Sequence, residues 1–327
     1  MNTNIAIVRR NGLGDFIAGT VPLYNCMVED YGDNCFLWFF MSSSNYPLFK
    51  YFIDENKAKL AVFNKGNKYL SVISMACKNS GSVDKGYLTV PDYPKLTGLF
   101  LFLLGAKNIY GYLNKGWLSK FTINKGVYNS EAYADESKHV ALLNLQLYNP
   151  KIDKIEKRWF PKFNKSKISK FDISIPGPYL MVELSNNRKC SQLETQIIVD
   201  IVLALRKHFV FTVLITAKCS DKSKAENLSS ILNENSIANF FYATNDLDSY
   251  ISFINKADVF LVGDGGIGHM AGALDKYVVS LYGKTSVDRW GILSDKAIIL
   301  YDKDNVNNIQ NERIIEGLYR CFKMLNN

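Results

Sequence analysis

Two short turns carry the residue types that could do chemistry. In Arg9-Arg10-Asn11-Gly12-Leu13-Gly14-Asp15 an apolar run ends, two glycines permit a tight turn, and a carboxylate arrives where the next helix begins. In Gly263-Asp264-Gly265-Gly266-Ile267-Gly268-His269 a second apolar run ends the same way. Its glycines let the backbone approach a ligand closely. The free N–H groups and positive dipole end of the helix that follows then make an anion site that fits a diphosphate. Asp264, at the strand's end, would sit beside the phosphates and is placed to hydrogen-bond sugar hydroxyls. His269, in the first helical turn, can donate to a phosphate or simply pack.

The first turn is not a dinucleotide fingerprint, because Gly12-x-Gly14 is followed by Asp15-Phe16-Ile17 where a third glycine should come. A carboxylate there would repel a phosphate. It suits a general base that accepts a proton from a hydroxyl, although Asp15 has the residue type of a plain helix cap as well.

Both turns need a strand before them and a helix after them. Runs rich in β-formers at 5–9, 36–41, 60–63, 70–73, 108–112 and 140–145 alternate with helical or irregular stretches, which predicts a mostly parallel sheet. The second half is more regular, with strands expected at 179–184, 211–216, 239–242, 259–262, 278–282 and 297–300 in a doubly wound pattern. Leu99 to Ala106 reads as a buried helix, and Ile314, Ile315, Leu318, Phe322 and Leu325 fall on one face of a closing amphipathic helix. Between Lys151 and Lys170 the chain is strongly basic, and Ile175-Pro176-Gly177-Pro178 interrupts any regular element, so the domain boundary is set at 172/173. Trp159, Phe160 and Phe163 in that basic run could dock it on an anionic membrane; the plainer reading is a solvated linker with aromatics tucked inward.

Length and composition agree with two globular domains: 327 residues, 47% hydrophobic and 21% charged, leave no room for a disordered or collagen-like chain. No run approaches a membrane span, and Met1 to Asn4 lead straight into Ile5-Ala6-Ile7-Val8 without a signal-peptide pattern. Six scattered cysteines without a Cys-x-x-Cys pair read as reduced thiols, so a cytoplasmic protein without a metal site is expected. A formal charge of +8 favours an anionic partner. No recognition motif accompanies the charge, which argues against nucleic acid.

The stretch Asp264-Gly265-Gly266-Ile267-Gly268-His269-Met270-Ala271-Gly272-Ala273-Leu274, with Val278 to Thr285 and Arg289-Trp290-Gly291, resembles the C-terminal signature of the bacterial heptosyltransferases, glycosyltransferase family 9. Arg9 with Leu13-Gly14-Asp15 and Pro22 resembles the same family's N-terminal signature. The resemblance spans both halves and implies the GT-B fold: two Rossmann-like α/β domains facing across a cleft. Residues 1–172 would bind the acceptor and 173–310 the nucleotide sugar, with 311–327 crossing back as a helix onto the first domain.

It also implies an inverting, metal-independent glycosyl transfer with no cofactor, the nucleotide-diphosphate sugar being the substrate and ADP-heptose the family's best-known donor. The acceptor would be an anionic glycan or glycolipid of lipopolysaccharide type, met at the cytoplasmic face of the inner membrane. By the match, Asp15 is the catalytic base, Arg9, Asn11 and Gly14 line the acceptor side, and Asp264, Gly265, Gly266, Ile267 and His269 hold the donor. Arg188-Lys189 resembles the family's basic segment, Lys189 neutralising charge on the leaving diphosphate. The nucleotide base belongs between Ala217-Lys218 and residues 244–247.

The chain departs from the family at Gly265 (commonly threonine), Lys284 (proline) and Ser191-Gln192 (Trp-Pro), all near the expected donor. Two other functions remain open: a nucleotide-sugar epimerase or hydrolase on the same scaffold, and a non-catalytic nucleotide-sugar-binding module.

Overall fold

Strands that end at a functional turn must be held at both edges. In the computed structural model each such strand lies in the interior of a parallel sheet. The structure describes residues 3–9, 12–43, 45–63, 68–89, 96–112 and 134–326, with residues 68–72 and 96–97 described by their backbone alone. The chain divides into two compact units, Met1–Pro161 and Lys162–Asn327.

Among the described residues, the first unit's sheet is built from β1 (Thr3–Arg9), β2 (Cys35–Ser42), β3 (Ala58–Phe63), β4 (Lys85–Leu88) and β5 (Asn108–Tyr110), in the order β3-β2-β1-β4-β5. All its pairings are parallel. The second unit holds β6 (Tyr179–Glu183), β7 (Thr212–Ala217), β8 (Asn239–Ala243), β9 (Val259–Gly263), β10 (Tyr277–Gly283) and β11 (Ala297–Asp302), in the order β11-β10-β9-β6-β7-β8. Numbered within the unit that is 6-5-4-1-2-3, the doubly wound order of dinucleotide-binding sheets. Its strand order reverses between β6 and β9, as the first sheet's does between β1 and β4. Side chains buried on both faces explain why Val259-Phe260-Leu261-Val262 reads as an unbroken apolar run.

All six strands expected in the second half are present. In the first half, two expected strands are helices. Residues 70–73 lie in the helix Lys68–Lys78, and residues 140–145 in the helix Val140–Tyr148. The second is buried at Val140, Ala141, Leu143, Asn144, Leu145 and Leu147, so its apolar residues show no clean helical period, and the His139 imidazole caps it by accepting from the Ala141 N–H at 3.1 Å. β4 was not foreseen, since Lys85-Gly86-Tyr87-Leu88 is too short to show alternation.

The chain passes from one unit to the next at 161/162 instead of 172/173 because residues beyond 161 already pack on the second sheet. The Phe163 N–H donates to the Ala273 carbonyl at 3.0 Å, and the Phe171 ring lies 4.9 Å from Tyr242 and 5.1 Å from Phe253. Trp159 belongs to the first unit, its indole donating to Glu29 at 2.8 Å. Trp159 and Phe163 are both buried, so neither can dock the basic segment on a membrane. The closing helix Asn311–Leu325, expected to pack back on the first domain, buries Ile314, Leu318, Cys321 and Phe322 in the core of the second unit. Gly317 lies close over Val279, where an added Cβ would come within 3.3 Å of that side chain.

Phe322 is the anchor of that helix, with Phe209 stacked on it at 5.2 Å and Phe211 at 5.0 Å. Phe322→Ala should cost roughly 3–5 kcal/mol of unfolding free energy, read from urea denaturation. A cost below about 1 kcal/mol would mean that the helix is not part of the cooperative core.

Candidate functional site

In open α/β sheets ligands bind beyond the carboxyl ends of the strands, where the strand order reverses. In each unit that reversal point carries an arginine–aspartate ion pair.

In the first unit, Arg9 closes β1, and the turn into the helix starts at Gly12, whose φ of +78° is a left-handed conformation that glycine adopts freely. A Cβ at Gly12 would lie 2.0 Å from an Asp15 carboxylate oxygen, so the glycine is also needed for space. Asp15 ends the short helical turn Leu13–Asp15, followed by a π-helical stretch Phe16–Thr20 and the helix Val21–Tyr31. The Arg9 guanidinium donates to the Asp15 carboxylate and, at 3.5 Å, to the carbonyl of Thr89, the residue after β4. The side chain of Arg9 is 2% exposed and that of Asp15 is 30% exposed. Thr89 in turn joins the Thr20 hydroxyl at 3.2 Å and donates to the Val8 carbonyl at 3.2 Å. The Asn144 amide, donating to the Gly19 carbonyl at 3.0 Å, pins the π-helical stretch from behind. Gly14 lies within the turn, half-buried; Asn11 lies outside the described residues.

In the second unit the loop after β6 lies on the ends of β9 and β10, and two glycines let it do so. A Cβ at Gly263 would stand 1.9 Å from the Ser191 carbonyl oxygen, and one at Gly283 2.7 Å from the Cys190 carbonyl oxygen. Neither position tolerates a side chain without moving backbone. Within the loop, Asn186 accepts from the Arg188 N–H at 3.0 Å and donates to the Asp264 carbonyl at 2.8 Å. Arg188 Nη1 donates to the Asp264 carboxylate at 2.6 Å and to the Thr285 hydroxyl. Here the exposures are reversed: the Arg188 side chain is 52% exposed and Asp264 3%.

Gly265 caps the helix Gly266–Ala273, in which Ile267 and His269 are buried. Asp264 was expected to meet sugar hydroxyls directly, but in this state its carboxylate holds Arg188. Lys189 follows, exposed, at the start of the turn Lys189–Ser191, whose Ser191 is buried.

Lys218, after β7, is exposed and donates to Asn187 at 2.6 Å, while its backbone N–H donates to the Ser185 hydroxyl, itself bonded to Asp221 at 2.8 Å. The ends of β6 and β7 are thereby tied together. At that junction Glu183 stands in register with Thr216. Burial pushes its carboxyl up to about 8, with Lys218 pulling the other way. Burial and then Glu183 raise the Tyr250 phenol well above its usual range.

Asn186, Thr285, Thr89, Glu183 and Tyr250 were not foreseen. Of these only Asn186 left a signal, its spacing of two before Arg188 being that of an Asx turn. Among the described residues, no group of three or more potential metal ligands comes together.

Residues 203–318 match the family model of glycosyltransferase family 9, the heptosyltransferases. That match covers about a third of the chain, in the second unit. The chain's fold agrees with GT-B structures. An E. coli ADP-heptose lipopolysaccharide heptosyltransferase II matches with a TM-score of 0.77 at 15% identity, over 99% of this chain and 100% of that one. A family 9 glycosyltransferase from Veillonella parvula matches at 0.75 and 12% identity, over 98% and 97%. An E. coli heptosyltransferase solved with ADP matches at 0.72 and 10%, over 98% and 100%. No curated protein matches this chain by sequence.

Each ion pair has one buried member, so deleting the exposed member removes the charge partner of a buried one. Asp15→Ala and Arg188→Ala should each cost about 1–3 kcal/mol, whereas exposed charge deletions elsewhere cost well under 1 kcal/mol. Equal melting points for both variants and wild type would show that the pairs are not formed in solution. Glu183 supplies a pH signature. Its folded value lies above the ordinary 4.5, so its contribution is fully present below about 4.5 and is lost as pH rises through about 8. Glu183→Gln should therefore match wild type in melting point at acid pH and exceed it increasingly towards pH 8; a constant difference across that range would contradict the burial.

Proposed function

We propose that the chain transfers a sugar from a nucleotide-diphosphate donor, with ADP-heptose the first candidate, to a hydroxyl of an anionic glycan or glycolipid of lipopolysaccharide type. The observation that carries this reading is the opposite polarity of the two ion pairs. A buried arginine presents a carboxylate in the first unit, and a buried aspartate presents a guanidinium in the second. A carboxylate serves a hydroxyl that must lose a proton; a guanidinium serves a diphosphate that must gain charge.

The proposed reaction is a single displacement. Asp15 takes the proton of the acceptor hydroxyl as its oxygen bonds to the anomeric carbon, and the bond from that carbon to the diphosphate oxygen breaks with inversion. The leaving diphosphate takes the electron pair. Arg188, Lys189 and the free N–H groups at the start of Gly266–Ala273 are the groups we assign to that growing charge. Arg188 is suited to it because its planar fork can keep Asp264 on one nitrogen and turn others to phosphate oxygens.

Asp264 would reach sugar hydroxyls once Arg188 has moved onto the phosphates, and His269 would steady the first helical turn. Lys218, Glu183 and Tyr250 stand at the ends and over the flank of β6, β7 and β8, where the nucleoside is expected. The mechanism requires no metal.

Asp15→Asn keeps the shape of the side chain and removes the base. It should lower transfer by roughly 10²- to 10⁴-fold while donor binding, measured by calorimetry, stays within a few-fold of wild type. Transfer at the wild-type rate would remove Asp15 from the chemistry. Product formed from donor alone, with no acceptor, would favour an epimerase or hydrolase. Melting-point shifts with ADP, UDP, GDP, CDP and dTDP sugars identify the donor, because a ligand of the folded state alone stabilises it in proportion to its affinity.

A further inference from the structure

The helix Leu96–Leu103 has the sequence Leu-Thr-Gly-Leu-Phe-Leu-Phe-Leu and carries no charged residue on any side. Its inner face behaves as expected: Phe100, Leu101 and, one residue beyond the helix, Leu104 are buried with Phe40, Phe63 and Leu88. Its outer face does not. Leu99, Phe102 and Leu103, spaced i, i+3 and i+4 and therefore on one stripe, are 48%, 56% and 38% exposed. The adjoining helix Lys68–Lys78 adds Ile73, 49% exposed. The Gly81 N–H, donating to the Leu104 carbonyl at 2.9 Å, joins the turns that follow the two helices. A helix apolar around its whole circumference is normally enclosed, and a contiguous apolar patch of this kind marks a contact surface.

The charge around the patch selects its occupant. Residues 68–83 and 96–109 contain no aspartate or glutamate, whereas Lys68, Lys78 and Lys107 fall within them. Lys78 is exposed, and the Lys107 side chain is 78% exposed, its nearest acid being Asp84 at 3.7 Å. Two copies of the chain meeting through this face would bring like charges together. An anionic surface would not.

We propose that this face docks on an anionic phospholipid bilayer, with Leu99, Phe102 and Leu103 entering the interface and Lys78 and Lys107 meeting the headgroups. The combination of an apolar stripe with flanking lysines gives two weak attractions that add, each insufficient alone. It also relocates the membrane contact from the basic segment around Trp159 to the outer face of the first unit. The docking is separate from the sugar-transfer reading, since lipid binding needs no turnover.

The test is flotation of the full chain with vesicles of neutral phospholipid alone and with vesicles containing about a third phosphatidylglycerol. The chain should float with the anionic vesicles at low salt and be released at high salt. The double variant Phe102→Glu with Leu103→Glu touches only exposed positions and should lose binding by about tenfold or more with its melting point unchanged. Lys78→Glu should weaken it, and Lys165→Glu with Lys167→Glu should leave it unaltered. Binding by the double variant at the wild-type level, or no binding by wild type, would overturn the proposal. So would a dimer in light scattering that the double variant converts to a monomer, because the face would then belong to a second copy.

Discussion

An ionised side chain at the end of a buried strand has to be neutralised locally, and the two sheets meet that requirement with the same pair of residues in opposite orientation. In the first, the arginine is sealed inside and the aspartate reaches solvent; in the second, the aspartate is sealed and the arginine reaches solvent. Burying one member anchors the other, because a long charged side chain that keeps a desolvated partner loses much of its freedom to wander. The result is a carboxylate held facing solvent at one reversal point and a guanidinium held facing solvent at the other. Strand order decides where these charges appear, since only where it reverses do two neighbouring loops diverge and leave a crevice.

The rest of each unit can be understood as support for those pairs. Arg9 is held in place through Thr89, Thr20 and Val8, three residues from three elements, so the orientation of Asp15 depends on the β1–β4 pairing. Asp264 is held through its own backbone: its N–H donates to the Leu281 carbonyl at 2.7 Å and its carbonyl accepts from Asn186. The loop that carries Arg188 can come so close only because Gly263 and Gly283 end their strands without side chains. These two glycines therefore decide how near the loop can lie to the strand ends.

The second half was the more legible in sequence because its strands are long, apolar and evenly separated by amphipathic helices, so each element announced itself by period. The first half misled in two places for one reason. Short apolar runs such as Leu70 to Ile73 and Val140 to Leu145 carry no period that separates strand from helix, and tertiary burial decides between them. Both turns with their carboxylates were legible, because glycine next to an acid at a strand-to-helix junction is a local signal. The pairing of those carboxylates was not. Asp264 lies 76 positions from Arg188, and the sheet order that joins them is a property of the folded unit.

The departures from the family pattern sort into two kinds once the backbone is known. Gly265 has φ 175°, an extended conformation open to any residue, and the nearest atom to an added Cβ is the Asn186 amide at 3.4 Å, an ordinary contact. Nothing in the packing demands glycine there, so the missing threonine is a change of chemistry: one hydroxyl fewer at the mouth of the anion-binding turn. Lys284 is the reverse. Its φ of +55° cannot be adopted by proline, whose ring holds φ near −65°. The turn after β10 therefore has a path of its own in this chain, and that path delivers the Thr285 hydroxyl to Arg188. Only the hydroxyl at 285 meets the Arg188 guanidinium; position 265 faces the Asn186 amide. Both departures thus fall at the carboxyl ends of β9 and β10, beside the Arg188–Asp264 pair.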